Sequence, residues 1–320
     1  MHWKVKGIVQ KALGHVPGSH ALHYQLQRRF GGLQNFGREL AMKVDDWQIM
    51  VGHLRNARVD LGRSHFLEIG TGWYPTFPLA LYLAGARQVT TYDLKPHLRR
   101  DLLLGAAQEL GNFIALIAEV AGVEVDGVHT RHAALMLALG NGEDLQTASG
   151  GVIHYAAPAD ATRTGLDAGA VDVVFSNSVL EHVPPEVIAA MYAESMRVLA
   201  PGGLMFHSVN CGDHYAYVDR SVNQLNYLRY SDAEWHFWNN EFLYQNRMRA
   251  HEFVAGAAAA GFGIELDTST ARESRLRELA SMPVHPQFAH VPAERLCITS
   301  VDFIARKPVA PDGVLTAARS

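Results

Sequence analysis

Two carboxylates bracket a glycine turn in this chain, at a spacing that could grip the ribose of a bound nucleoside. Glu68 stands two residues before Gly70-Thr71-Gly72, and Asp93 falls 21 residues after Gly72. Glycine tolerates left-handed dihedrals and carries no side chain, so a glycine strand-to-helix turn lets a ligand approach the backbone closely. An acid at the end of the second strand is where a nucleotide fold accepts from ribose hydroxyls. A pyrophosphate cradle would place a third glycine three residues after the second, and that position is Pro75. Glu68 ahead of the turn suits a positively charged, phosphate-free ligand instead. The spacing to Asp93 taken alone would serve a nicotinamide enzyme equally well.

Two later stretches narrow the choice. Asp160 lies in a Pro-Ala-Asp-Ala turn, twelve residues before Asp172 of an apolar strand. That strand leads into Ser176-Asn-Ser-Val-Leu-Glu-His-Val183. Together with Glu68-Ile-Gly-Thr-Gly72 and Asp93, these motifs resemble those of the Rossmann-like (class I) S-adenosylmethionine-dependent methyltransferases, small-molecule type, in family order over residues 66–209. The resemblance implies S-adenosylmethionine as cofactor, touched by Glu68, Gly70, Thr71, Gly72, Asp93, Leu94, Asp160, Ala161 and Asn177. Glu68 and the glycines would hold its methionine and ribose portion. Asp93 would accept from the ribose hydroxyls, while Asp160 and the Ala161 backbone would read the adenine.

Methyl transfer from a sulfonium is an in-line displacement that needs alignment, exclusion of water and often removal of an acceptor proton. It requires no metal, and none is expected here; His207, Asp213 and His214 are too loosely spaced to form a convincing ligand set. Base candidates should follow the fourth and fifth strands, which selects His214, His182 and His207. His214 is preferred, because it opens an aromatic-rich segment. Asp213, Tyr215, Tyr217, Trp235 and Trp238 are the accompanying candidates for contact with the acceptor.

The elements that must position these groups follow from hydrophobic periodicity. Leu40, Val44, Trp47, Val51 and Leu54 predict an amphipathic helix over 37–58. Phe66, Leu67 and Ile69 predict a first strand, followed by an apolar helix over 76–84 and strands at 88–93, 151–156, 171–176 and 204–209. Pro184 and Pro185 suit the first turn of a helix carried forward by Val187, Ile188, Met191 and Val198, with a stop at 200–203. A helix at 251–260, a strand ending at Asp267 and a last strand over 297–306 complete the alternation. The reading is an α/β, Rossmann-like seven-stranded mostly parallel sheet with helices on both faces and helical cap insertions. The resemblance implies an antiparallel last strand beside the fifth.

Two stretches depart from a minimal fold. Leu98 to Ile117 trace one long helical stripe, and a shorter helix is expected at 133–139, which predicts a cap or a homodimer surface. Residues 211–251 hold nine aromatics of the 29 in the chain, Phe242 among them. An insertion so enriched, at the carboxyl end of the sheet, predicts a substrate cap, or else simply its own core. The acceptor is expected between these two insertions. The organisation is then 1–60 as helical arm, 61–210 as cofactor-binding core with its 98–140 insertion, 211–251 as cap, 252–306 as completion of the sheet and 307–320 as tail. Residues 268–296 read as an irregular surface excursion.

Composition bounds the rest. Hydrophobic content of 48% against 19% charged is that of a globular chain. The net charge of -4 gives no global field for nucleic acid, and no Asn-Pro-Pro-Tyr type signature follows the fourth strand. Cys211 and Cys297 form no disulfide framework, no apolar run reads as membrane-spanning and no signal pattern opens the chain, so a cytoplasmic setting is expected. Residues 1–34 carry Lys4, Lys6, Lys11, Arg28 and Arg29 without an acid. The plain reading is an arm packing Trp3, Ile8 and Leu13 on the body. Two alternatives remain at this point: an NAD(P)-dependent oxidoreductase, and a catalytically silent methyltransferase-like subunit that binds a partner.

Overall fold

The computed structural model describes residues 2–14, 24–25, 28–29, 32–240 and 243–309. Phe242, the side chain of Leu13 and the tail beyond residue 309 lie outside the described residues. The strands are β1 (His65–Ile69), β2 (Gln88–Tyr92), β3 (Ile153–Ala156), β4 (Val171–Asn177), β5 (Leu199–Asn210), β6 (Gly263–Asp267) and β7 (Ser300–Arg306). The helices that frame the site begin with α1 (Trp3–Gly14), α2 (Phe36–Asn56), α3 (Thr76–Leu83), α4 (Arg100–Leu110), α5 (Ile114–Ala121) and α6 (Val125–Gly140). After β3 come α7 (Pro185–Val198), α8 (Asp232–Trp238), α9 (Ala250–Ala259) and α10 (Glu273–Ala280).

The sheet runs β3-β2-β1-β4-β5-β7-β6. The first five strands are parallel, and β7 is antiparallel to both β5 and β6. Strand order reverses between β1 and β4, and open α/β sheets bind ligands at that switch point. β1 is buried along its whole length, as a central parallel strand must be when helices cover both faces. Its alternation sorts the layers: Phe66, with Val173, Phe175 and Phe206, faces α2 to α6. Leu67 and Ile69, with Val174 and Met205, face α7 and α9.

The 98–140 stretch is a correction. It forms a layer over the sheet rather than a cap over the site, because its apolar stripe is already spent on the core: Leu103, Ala106, Leu110, Ile117, Leu135 and Leu139 pack with α2 and α3. Gly122, at φ +70°, caps α5 in the left-handed conformation. The break between the two helices is therefore confined to 122–124, and α6 starts at Val125 rather than near 133. Read through the 3-10 turn at Gly111–Phe113, the helical stretch Arg100–Ala121 is 22 residues long with mean hydropathy 1.3, so a run of membrane-spanning length and composition does exist. Its buried stripe packs with α2, α3 and α6 within the helical layer.

Two further departures are local. The Ala-Pro-Gly-Gly segment at 200–203 lies inside β5 at a register irregularity, and α7 still stops just before it at Val198. Residues 268–296 are not a loose excursion. They contain α10 and a one-turn helix at Ala293–Leu296, and Leu279, Leu296 and Cys297 join the aromatic segment in a third core. Trp3 of α1 completes that core, with ring centroids 4.8 Å from Trp238, 5.1 Å from Tyr215 and 5.8 Å from Tyr230. The arm thus packs through Trp3, whereas Ile8 is exposed.

Candidate active site

The glycine turn is held by the strand beside it. Gly70 N–H donates to the Tyr92 carbonyl at 2.7 Å, and Gly72 N–H donates to Asp93 Oδ2 at 2.7 Å. Both glycines have positive φ, +86° and +64°. At Gly70 the need for glycine is also spatial, since a Cβ there would lie 2.5 Å from Val179 Cγ2. Asp93 is buried and joins the ends of β1 and β2, with its carboxylate at the floor of a cleft.

That cleft has two lobes, of about 350 and 450 Å³, and Gly70, Asp93, Val179 and His182 line both. The larger lobe has mostly apolar walls, including Tyr92, Leu94, Val187 and Met191, with Asp160 and Ala161 at its edge. Asp160 is exposed, and its Oδ1 accepts from Thr162 N–H (2.8 Å) and Oγ1 (2.7 Å); these bonds hold its carboxyl below the usual range. Its other oxygen is free of that turn.

The smaller lobe is polar at its base. Glu68 is buried on the α2 side of the sheet, where Thr91 Oγ1 donates to it and Thr71 pairs with Thr91 in turn. Burial pushes its carboxyl up to about 7, against the Thr91 bond. Lys43 reaches into the lobe from α2, donating to Asn177 Oδ1 and standing 3.6 Å from Asp46. Trp73, Tyr74 and His97 form the mouth, with Trp73 and His97 4.5 Å apart. All nine residues assigned to the cofactor line one lobe or the other.

The other candidates divide. His182 faces both lobes, and its Nδ1 is 2.7 Å from the Tyr244 carbonyl. A carbonyl can only accept, so Nδ1 carries the proton and Nε2 a lone pair. Burial lowers the His182 pKa. His214 stacks edge-on against it at 4.9 Å, with Nε2 buried; burial and the neighbouring His182 lower its pKa to about 3.

His207 is a correction. It is 1% exposed under Tyr192 and Phe303, bonded through Nδ1 to Ser176 Oγ at 2.7 Å, and outside the cleft lining. A strand residue on that face points into the α7 layer and cannot reach an acceptor. Asp213, Tyr215, Trp235 and Trp238 are corrected likewise. Asp213 accepts from Tyr215 N–H and Asn226 Nδ2 inside the fold, and the three aromatics form the third core with Trp3. Tyr217 alone among them is exposed, its ring 5.5 Å from His214 and its hydroxyl accepting from Asn210 and Gln224.

The sequence reading missed Lys43, Trp73, Tyr74 and His97. Trp73 and Tyr74 adjoin the glycine turn, which was signal enough. Lys43 sits beside apolar Val44 on an amphipathic helix, and nothing in periodicity marks it as a cleft residue.

A mostly parallel sheet with a glycine turn and two acids around a two-lobed cleft at the switch point is an arrangement able to hold a nucleoside cofactor. Residues 102–207 match the family described as methyltransferase domain. That match, over a third of the chain, supports an S-adenosylmethionine-dependent methyltransferase with S-adenosylmethionine as its cofactor. The matched segment begins after the glycine turn and Asp93, whose place in the cleft comes from the geometry above. No curated protein matches the chain.

Among solved structures, it is similar to an S-adenosylmethionine-dependent methyltransferase from Mesorhizobium loti (15% identity, 79% of this chain and 95% of that one, TM-score 0.41). A second, from Methanosarcina mazei, is 16% identical over 78% of this chain and 94% of that one, at TM-score 0.42. A third is the complex of the Haloferax volcanii Trm112 methyltransferase activator with a protein described as a methyltransferase (15%, 85% and 94%, 0.45). None of the three bears on what this chain acts on.

Proposed function

We propose that this enzyme methylates a small molecule at oxygen or nitrogen, with the acceptor entering past Trp73 and Tyr74 to meet the methyl group near His182. The observation that carries the reading is the common wall of the two lobes. A nucleoside in the larger lobe would lay its ribose on Asp93 and its adenine between Leu94 and Met191, with Asp160 accepting from the exocyclic amine. The methionine end would then cross Gly70 into the smaller lobe. There Glu68 suits its ammonium and Lys43 its carboxylate, since each offers the opposite charge.

His182, on the wall common to both lobes, would then stand next to the sulfonium methyl. Its Nε2 lone pair, fixed by the Tyr244 carbonyl, is the group able to take a proton from an acceptor hydroxyl or amine. His214 backs it, and Tyr217 is the aromatic candidate that remains free to meet the acceptor. A lobe of about 350 Å³ that also holds the methionine leaves room for a compact acceptor.

The test is transfer of labelled methyl from S-adenosylmethionine to a panel of hydroxylated and aminated small molecules, with His182→Asn alongside. The reading expects a methylated small-molecule product and its loss in the variant. Label appearing only in a protein or a nucleic acid would contradict it.

A further inference from the structure

Beside the cleft three side chains converge, and two of them carry buried polar atoms without a hydrogen bond. Glu181, His182 and His214 each bring one ligand-type atom within 4.8 Å of the others. Glu181 is 1% exposed, and neither carboxylate oxygen makes a hydrogen bond of full geometry, although the backbone N–H groups of Glu181 and Asn210 lie close enough to favour its charged form. The Nε2 of His214 is buried and lacks a partner as well. Buried polar groups are ordinarily hydrogen-bonded, and a buried carboxylate without well-formed hydrogen bonds is costly. Two such groups converging with the His182 imidazole have a common remedy, a cation between them.

The surroundings fit that remedy. Ligating imidazoles normally donate their second nitrogen to a carbonyl or carboxylate, which fixes the tautomer. His182 does so toward Tyr244. The next two residues hold the other ligands in place: Gln245 Oε1 accepts from His214 N–H at 3.2 Å, and Asn246 donates its N–H to the Glu181 carbonyl at 2.9 Å. Asn246 Nδ2 also donates to the carbonyls of Leu180 (2.7 Å) and Val183 (2.8 Å), pinning the turn that carries Glu181 and His182. Three consecutive residues of the cap thus orient all three candidate ligands.

We infer that Glu181, His182 and His214 bind a divalent first-row transition-metal ion that coordinates an oxygen of the acceptor. One carboxylate and two imidazoles suit zinc, manganese, iron or cobalt, and three protein ligands leave positions open for water or substrate. His182 faces the cleft, so the open positions do too. The inference rests on the proposed function above and sharpens it toward hydroxyl acceptors. The His182 lone pair then serves as a ligand instead of a base. The bound hydroxyl loses its proton to solvent more readily, because the cation stabilises the oxyanion. That oxygen forms the new bond to the methyl carbon. The carbon–sulfur bond breaks with its electron pair going to sulfur, which leaves neutral S-adenosylhomocysteine.

The experiment titrates the chelator-stripped full-length protein with manganese chloride, reading free ion by electron paramagnetic resonance, and with zinc chloride by calorimetry. Glu181→Gln and His214→Ala are titrated in parallel. A single ion per chain, bound at least ~10-fold more weakly by each variant, is the expected result. Folded wild type that binds no ion overturns the inference, as does equal affinity in both variants. Should Glu181→Gln fail to fold, His214→Ala carries the same comparison. S-adenosylhomocysteine is titrated separately into the metal-free wild type, so failure of the cofactor reading is seen apart from failure of the metal site.

Discussion

Gly70 offers a test in which strain and overlap can be separated. Its φ of +86° costs a residue with a Cβ about 1–2 kcal/mol, and its Cβ would also lie 2.5 Å from Val179 Cγ2. Overpacking of that kind costs about 1–3 kcal/mol more. Gly70→Ala should therefore lose about 2–5 kcal/mol of stability. Gly72 is the internal control: it has a φ of +64° but nothing within 4 Å of a Cβ, so Gly72→Ala should lose only the strain, about 1–2 kcal/mol. In Gly70→Ala/Val179→Ala the overlap is relieved and the strain is kept, so a double-mutant cycle should give a favourable coupling of about 1–3 kcal/mol. Urea unfolding followed by tryptophan fluorescence measures all five proteins, wild type and Val179→Ala included. A Gly70→Ala cost no greater than that of Gly72→Ala, or a cycle with no coupling, would refute the placement of Val179 against the glycine turn.

Three other outcomes follow from the same geometry. Arg249 is buried and donates to the carbonyls of Cys211, Leu296 and Ile298, so Arg249→Met strands three acceptors. It should cost about 3–5 kcal/mol and open the aromatic cap to proteolysis; a loss below about 1 kcal/mol would argue against it. His207 is held neutral by burial, its pKa lowered from 6.5 to about 3. In that interval the unfolded chain binds the proton and the folded chain does not, so the stability it confers is complete above 6.5 and is lost as pH falls toward 3. The stability difference between wild type and His207→Gln should be larger at pH 7 than at pH 5, and a pH-independent difference would contradict this. Lys43→Met should weaken S-adenosylhomocysteine about 5–10-fold while leaving 5′-methylthioadenosine, which lacks the carboxylate, unchanged. Equal weakening of both ligands would remove Lys43 from the methionine end.

How far the sequence could be read depended on whether a residue's role was local. The glycine turn, Asp93 and the Asp160 loop are set by a few neighbouring residues, and their spacing was legible. The strand alternation was legible too, because parallel strands buried on both faces leave continuous apolar runs such as Val171–Phe175. The 98–140 helices were misplaced because periodicity shows which face is buried and not what it is buried against. The aromatics of 211–251 were ambiguous for the same reason: Trp235 and Trp238 look alike in sequence whether they line a cleft or surround Trp3. His207 could be set aside only from its strand register, which turns it into the α7 layer. The pairing of Glu181 with His214 joins the ends of two different strands across the cap, and no local pattern announces it.

The measurement that bears most directly on the account is calorimetric titration of S-adenosylhomocysteine into the wild type and Asp93→Ala. The account predicts saturable binding to the wild type and at least a tenfold weaker constant, about 1.4 kcal/mol, in a variant that remains folded. Absent binding by the folded wild type, or an affinity untouched by loss of Asp93, would contradict the assignment of the two-lobed cleft to the cofactor.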